Sequence, residues 1–249
     1  DGELRTTALK ALSDVAGPEH VDGLLDVLTR TNAKAAEAAV VAACKRSDEK
    51  AVCVRNMAQA FRGSESSDTR AALVRVLGEL GGDDALKVVK EAAQGGDGKV
   101  RKAAVRVLAD WGTVAPRQVL LDVAKEDSAS TAGILALRGY VDMSGRAPEL
   151  SEQQKLKAYR KAMRAASRNS EKKRILSATG GLGVAGALNF LDEYLHKNSV
   201  KEEARAAYLS VARRLTATNP SEARKALKKM IQETDGGALA KKARQVLEN

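Results

Sequence analysis

Two nine-residue segments, Thr69–Leu77 (TRAALVRVL) and Val100–Leu108 (VRKAAVRVL), are near-copies placed 31 residues apart. Between them runs a second amphipathic stretch, Asp83–Ala93, bounded by Gly81-Gly82 on one side and Gly95-Gly96 on the other. The order is helix, glycine turn, helix, glycine turn, and then the same again. A unit of this length cannot bury its apolar face alone. It must stack on a neighbouring copy, and a fixed period in this range is the mark of a helical repeat stack. Composition agrees. Hydrophobic residues make up 44% of the chain but aromatics only 3%, so the core must be built from Ala, Leu and Val. Such side chains let helices approach closely.

The register extends along the whole chain. Aligned on Arg70, the first helix of each repeat carries Arg5, Ala36, Arg70, Arg101, Ala132, Arg174, Arg205 and Ala240, with steps of 31, 34, 31, 31, 42, 31 and 35. The long step spans Met143–Ser151, read as an inserted loop. At 249 residues the chain could hold one large domain or two small ones. The repeat pattern predicts a single all-α domain over 1–249, with repeats at 1–30, 31–63, 64–95, 96–126, 127–169, 170–197 and 198–234 and a closing helix over 236–249. Local signals place several helix starts. Pro18 suits a first turn, Asp48 a cap for the helix near Glu49–Phe61, Ser151 a cap for Glu152–Ala166, and Asn219-Pro220-Ser221 a start for the helix that follows. The other paired helices are expected at Ala129–Asp142, and at Glu171–Thr179 with Ala185–His196.

The two near-copies and their glycine turns resemble HEAT-type repeats, in particular the short PBS-lyase-like form. The resemblance implies a right-handed α-α superhelix of about seven helix pairs plus a closing helix. It also implies a surface that binds other molecules rather than a reaction centre. A narrower likeness rests on Val41-Ala42-Ala43-Cys44-Lys45-Arg46, Cys53, Arg75–Gly82 (RVLGELGG), Ala109-Asp110-Trp111 and Ala136–Tyr140 (ALRGY). These resemble a HEAT segment of large, mostly exported multidomain proteins of planctomycete-type and Bacteroidetes-type bacteria, over roughly two-thirds of the chain. That likeness implies an extracytoplasmic setting. The catalytic and haem-binding motifs of the neighbouring domains in such proteins are absent here, so their activities do not carry over.

Charge gives the strongest functional signal. The net charge is +10, yet residues 1–150 carry 21 Lys and Arg against 22 Asp and Glu, and residues 151–249 carry 21 against 10. Such asymmetry points to an anionic partner. Lys157, Lys161, Arg164 and Arg168 follow one helix face in repeat five, with Arg160 beside them; Arg224, Lys225, Lys228 and Lys229 lie on the second helix of repeat seven. If second helices line the concave side, these residues form a positive groove able to hold carboxylates or phosphates. The plain alternative is a solvated face that keeps an Ala-rich stack soluble.

The remaining candidates weigh toward structure. Cys44 and Cys53 lie across a short turn, near enough for a disulfide, or they are two buried small residues. The likeness to exported proteins favours the disulfide. No further Cys or His completes a zinc set. Gly181–Gly186 (GLGVAG) spells G-x-G-x-x-G but follows a helix rather than a strand, so it reads as a turn. Asp110-Trp111 invites comparison with HEAT-like DNA glycosylases, yet the aromatics are scattered and Trp111 is expected to fill space between repeats. His20 and His196 read as surface or capping residues. Gly139 breaks the small-residue rule of its helix for packing, with Tyr140 buried. No stretch of about 18 apolar residues could span a membrane, and Asp1-Gly2-Glu3 does not open a signal peptide.

The expected function is a non-enzymatic interaction scaffold, monomeric, without cofactor or metal. It would bind a protein partner or neighbouring domains of its own polypeptide. Nucleic acid or another polyanion is the alternative ligand of the basic residues, and a glycosylase is the second alternative.

Overall fold

A computed structural model of the chain describes residues 2–95, 97–234 and 237–248. Gly96, read above as part of a turn, and Gly236, read as the start of the closing segment, lie outside the described residues, as do Asp1, Asp235 and Asn249. Among the described residues there are fifteen α-helices, one 3-10 turn and no strand. The residues group into two compact units, 1–123 and 124–249.

The first unit holds α1 (Gly2–Val15), a 3-10 turn at Pro18–His20, α2 (Val21–Thr31), α3 (Lys34–Arg46), α4 (Lys50–Gly63), α5 (Ser67–Leu80), α6 (Asp83–Gln94) and α7 (Gly98–Ala109), and the boundary between the units falls within the sequence of α8 (Arg117–Glu126). The first helix of each pair packs on the next, α1 on α3, α3 on α5 and α5 on α7. Gly78 is what allows the last of these approaches. A Cβ there would lie 2.4 Å from Cγ1 of Val107. The turn from α5 to α6 needs glycine for another reason: Gly81 and Gly82 have φ of +69° and +86°, which residues with a Cβ rarely adopt. Caps are local and mostly polar. Ser66 accepts from the Thr69 amide, and Asp97 from those of Lys99 and Val100. Arg46 closes α1 from a distance, donating to the carbonyls of Ala16 at 2.8 Å and of Ser13 and Asp14 at 2.9 Å.

The second unit holds α9 (Thr131–Arg146), α10 (Glu152–Ala165), α11 (Asn169–Thr179), α12 (Ala185–Asp192), α13 (Lys201–Leu215), α14 (Pro220–Glu233) and α15 (Ala238–Glu248). Here α9, α11, α13 and α15 pack in succession. Ser151 and Gln154 make the capping box of α10, and Asn219 caps α14 by accepting from the Glu222 amide.

Three local expectations are corrected. α9 runs on through Met143, Ser144, Gly145 and Arg146, so the loop before α10 is only Ala147–Ser151. Met143 and Ser144 are buried, and that burial outweighs the breaker signal of Gly145. α12 ends at Asp192, and the residues to His196 form turns. Asp48 does not cap α4. Glu49 holds that position, and its amide donates to Ser47 Oγ at 3.1 Å.

Candidate functional site

The nine basic residues fall into two groups with different employment. Lys157, Lys161 and Arg164 on α10, and Arg168 at the start of α11, are exposed, and their side chains enter no described hydrogen bond or ion pair. Arg160 is half-buried instead. Its guanidinium donates to the Gly186 carbonyl at 3.3 Å and stands 5.2 Å from the Phe190 ring, so it joins α10 to α12. On α14, Arg224, Lys225 and Lys228 are exposed and unpaired, while Lys229 is bound to Asp192 of α12. Lys225, Lys228, Lys229, Gln232 and Glu233 line a shallow hollow of about 710 Å³. Between the two groups lies α12, which touches both helices through Arg160 and Lys229. Its sequence, AGALNFLD, has no cation of its own.

The aromatic residues of the second unit do not accompany this charge. Tyr140, Tyr159, Phe190 and Tyr208 are buried and Tyr194 is half-buried. Burial pushes the Tyr208 phenol up to about 12. Other perturbed groups also belong to packing. The Arg138 guanidinium holds the Glu171 carboxyl below the usual carboxylate range, and Lys173 does the same for Glu203. Burial, and then a hydrogen bond with Cys53, pushes the Cys44 thiol up. Both cysteines are buried free thiols. Perturbed groups that converge in a cleft mark a reaction centre; these are dispersed through contacts between helices. Among the described residues no group of three or more His, Cys, Asp or Glu could hold a metal ion, and no helix is long and apolar enough to cross a membrane.

The Gly181–Gly186 turn is occupied from within. The amides of Gly181 and Leu182 donate to the carbonyls of Ala178 and Thr179, and that of Gly183 to Glu152 Oε2 at 3.0 Å. The imidazole of His20 accepts from the Gly17 amide at 3.2 Å, and His196 faces Glu233.

The first unit has a groove of its own. This groove, about 1220 Å³, runs along the first helices α3, α5 and α7. Gly78 and Val107, where α5 and α7 approach closely, are among its lining residues. Trp111, expected between repeats, follows α7, lines the groove and is half-buried, and Asp110 beside it is exposed. Trp111 is the one aromatic residue lining the groove. Lys34, Lys102 and Arg106 line it as well; sequence reasoning missed them because residues 1–150 have almost no net charge.

Residues 54–138, from α4 into α9, match a protein family described as HEAT repeats. The fold is an all-α, HEAT-like helical repeat fold, and repeats of this kind typically mediate protein interactions. No curated protein matches the chain. Among solved structures, an engineered protein from the Northeast Structural Genomics Consortium is similar over 100% of this chain and 75% of its own, with a TM-score of 0.45 and 20% sequence identity.

Proposed function

We propose that the chain is a non-enzymatic scaffold that receives an acidic protein partner on the cationic faces of α10 and α14. One observation carries this reading. Six exposed cations on those helices, with Arg168 just beyond α10, have no described counter-charge and stand close in sequence on two helices, unlike the cations of the same unit held in Arg138–Glu171, Arg174–Asp142 and Lys173–Glu203. Unpaired surface cations cost nothing to leave solvated, and they steer and orient an acidic partner. The buried aromatics favour a protein over a single-stranded nucleic acid, which would use exposed rings as stacking platforms.

The sequence likeness extends the proposal to the setting. We place the chain in a larger exported multidomain protein, with Cys44 and Cys53 as a disulfide pair. The two thiols, free in the structure, stand within hydrogen-bond reach of each other, and that proximity is what supports the pairing.

The test is a pull-down with the chain at low and at moderate salt, run beside the Lys161→Glu, Arg164→Glu, Lys228→Glu variant. A discrete protein recovered at both salts and lost with the variant is the expected result. Nucleic acid recovered only at low salt would make the face a general polyanion surface, since phosphate contacts weaken steeply with salt. Recovery unchanged by the variant would remove α10 and α14 from the function.

A further inference from the structure

We propose that the groove along α3, α5 and α7 binds an acidic peptide segment bearing apolar side chains, held by Lys34, Lys102 and Arg106 and seated against Trp111. The site lies in the first unit and is independent of the cationic faces of α10 and α14. Its size speaks first. At about 1220 Å³ along three helices, it exceeds the roughly 300–1,000 Å³ of small-molecule sites. An elongated occupant fits it better than a compact one.

Its floor speaks second. α3 carries two sets of small residues. Ala36, Ala39, Val40 and Ala43 are buried within the stack. Ala38 is exposed and Val41 and Ala42 are half-buried, and these three line the groove. Ala103 and Val107 continue that lining on α7, both half-buried. This second set leaves an apolar strip open to solvent between charged walls, as an interface core does within its polar rim.

Charge chooses the occupant. The lining carboxylates Glu37, Asp68 and Glu79 are each paired across helices, with Arg75 at 2.5 Å, with Lys99, and with Lys45 at 3.5 Å. Lys34, Lys102 and Arg106 enter no described pair, and the one lining carboxylate outside the pairs is Asp110. The walls therefore offer three free cations against one free anion. A carboxylate-bearing chain complements that excess, while its apolar side chains cover the strip. Trp and Arg are the residue types that most often dominate such interfaces, and Trp111 and Arg106 stand at the same end of α7.

Trp111 is the only tryptophan in the chain, so its fluorescence reports on the groove alone. Random peptides would be selected by display against the whole chain, and the enriched sequences synthesised and titrated while Trp111 emission is followed. Peptides rich in Asp or Glu and in apolar residues are expected, with a saturable change in emission. The Lys102→Glu, Arg106→Glu variant should weaken them by about tenfold or more; Lys161→Glu, Arg164→Glu should leave them unchanged. A matching circular dichroism melt shows that the first variant is folded. If it melts early, the neutral Lys102→Gln, Arg106→Gln pair replaces it, with weaker binding again expected. Three results would overturn the proposal: selection without acidic enrichment, binding without a Trp111 response, or loss through the α10 substitutions instead. Displacement of the peptides by a short DNA strand at equal concentration would also overturn it, in favour of a general polyanion groove.

Discussion

Glu171 is 2% exposed, a costly place for a carboxylate unless its charge is met. Arg138 meets it with two hydrogen bonds, from Nε at 3.0 Å and from Nη2 at 2.7 Å, and the Ser170 hydroxyl adds a third at 3.2 Å. This pairing with Arg138, against the opposing effect of burial, is why the folded-state carboxyl lies below its ordinary range. A depressed carboxylate stabilises the fold above its unfolded value, about 4.3, and that contribution is lost as pH falls through the lower folded value. Glu171→Gln should therefore cost about 1–3 kcal/mol at pH 7. The figure stays below that of a fully buried ion pair because Arg138 keeps 45% of its side chain in water. Urea melts of both proteins, repeated as the pH is lowered below about 4, should show the gap closing. A gap that is constant with pH would mean that Glu171 acts through shape rather than charge.

Between α5 and α7 the decisive atom is one that is missing. Alanine at position 78 would gain up to about 1 kcal/mol of helix propensity. Its Cβ would meet Val107, whose branched side chain has little rotamer freedom to yield. Overpacking costs typically about 1–3 kcal/mol, so Gly78→Ala should lower the thermal midpoint. Adding Val107→Ala should restore part of the loss, a coupling that independent sites would not show. This crossing also explains what the sequence could disclose. The near-copies Thr69–Leu77 and Val100–Leu108 predict α5 and α7 because periodicity is written in the chain, and Ser151 and Asn219 announce their helices because a cap is local chemistry. Which residues line the groove where α5 meets α7 rests on a contact between distant residues. The same holds for the end of α9, where the site of a Gly145 side chain is taken by the Tyr159 hydroxyl, 2.8 Å from where a Cβ would stand. Arg160 and Arg164 are alike in sequence as well. Only the position of Phe190 separates the packing residue from the exposed one.

Helices in substantial contact lie within three places of one another in chain order. Stability in such a chain is a sum of repeat and nearest-neighbour terms, so damage should remain near its origin. Leu176, fully buried in α11, offers a clean test, because α11 contacts α9, α10, α12 and α13. Leu176→Ala removes apolar contact and leaves a cavity, at a cost of about 2–5 kcal/mol. In native-state hydrogen exchange, amides of α9 to α13 should lose protection by an amount of that order. The loss should shrink with each further helix, leaving α3 and α5 as in the parent protein. An equal loss at every protected amide would instead mean that the chain opens only as a whole. Cooperativity would then outrun the neighbour contacts, and the repeat-by-repeat view of its stability would have to be given up.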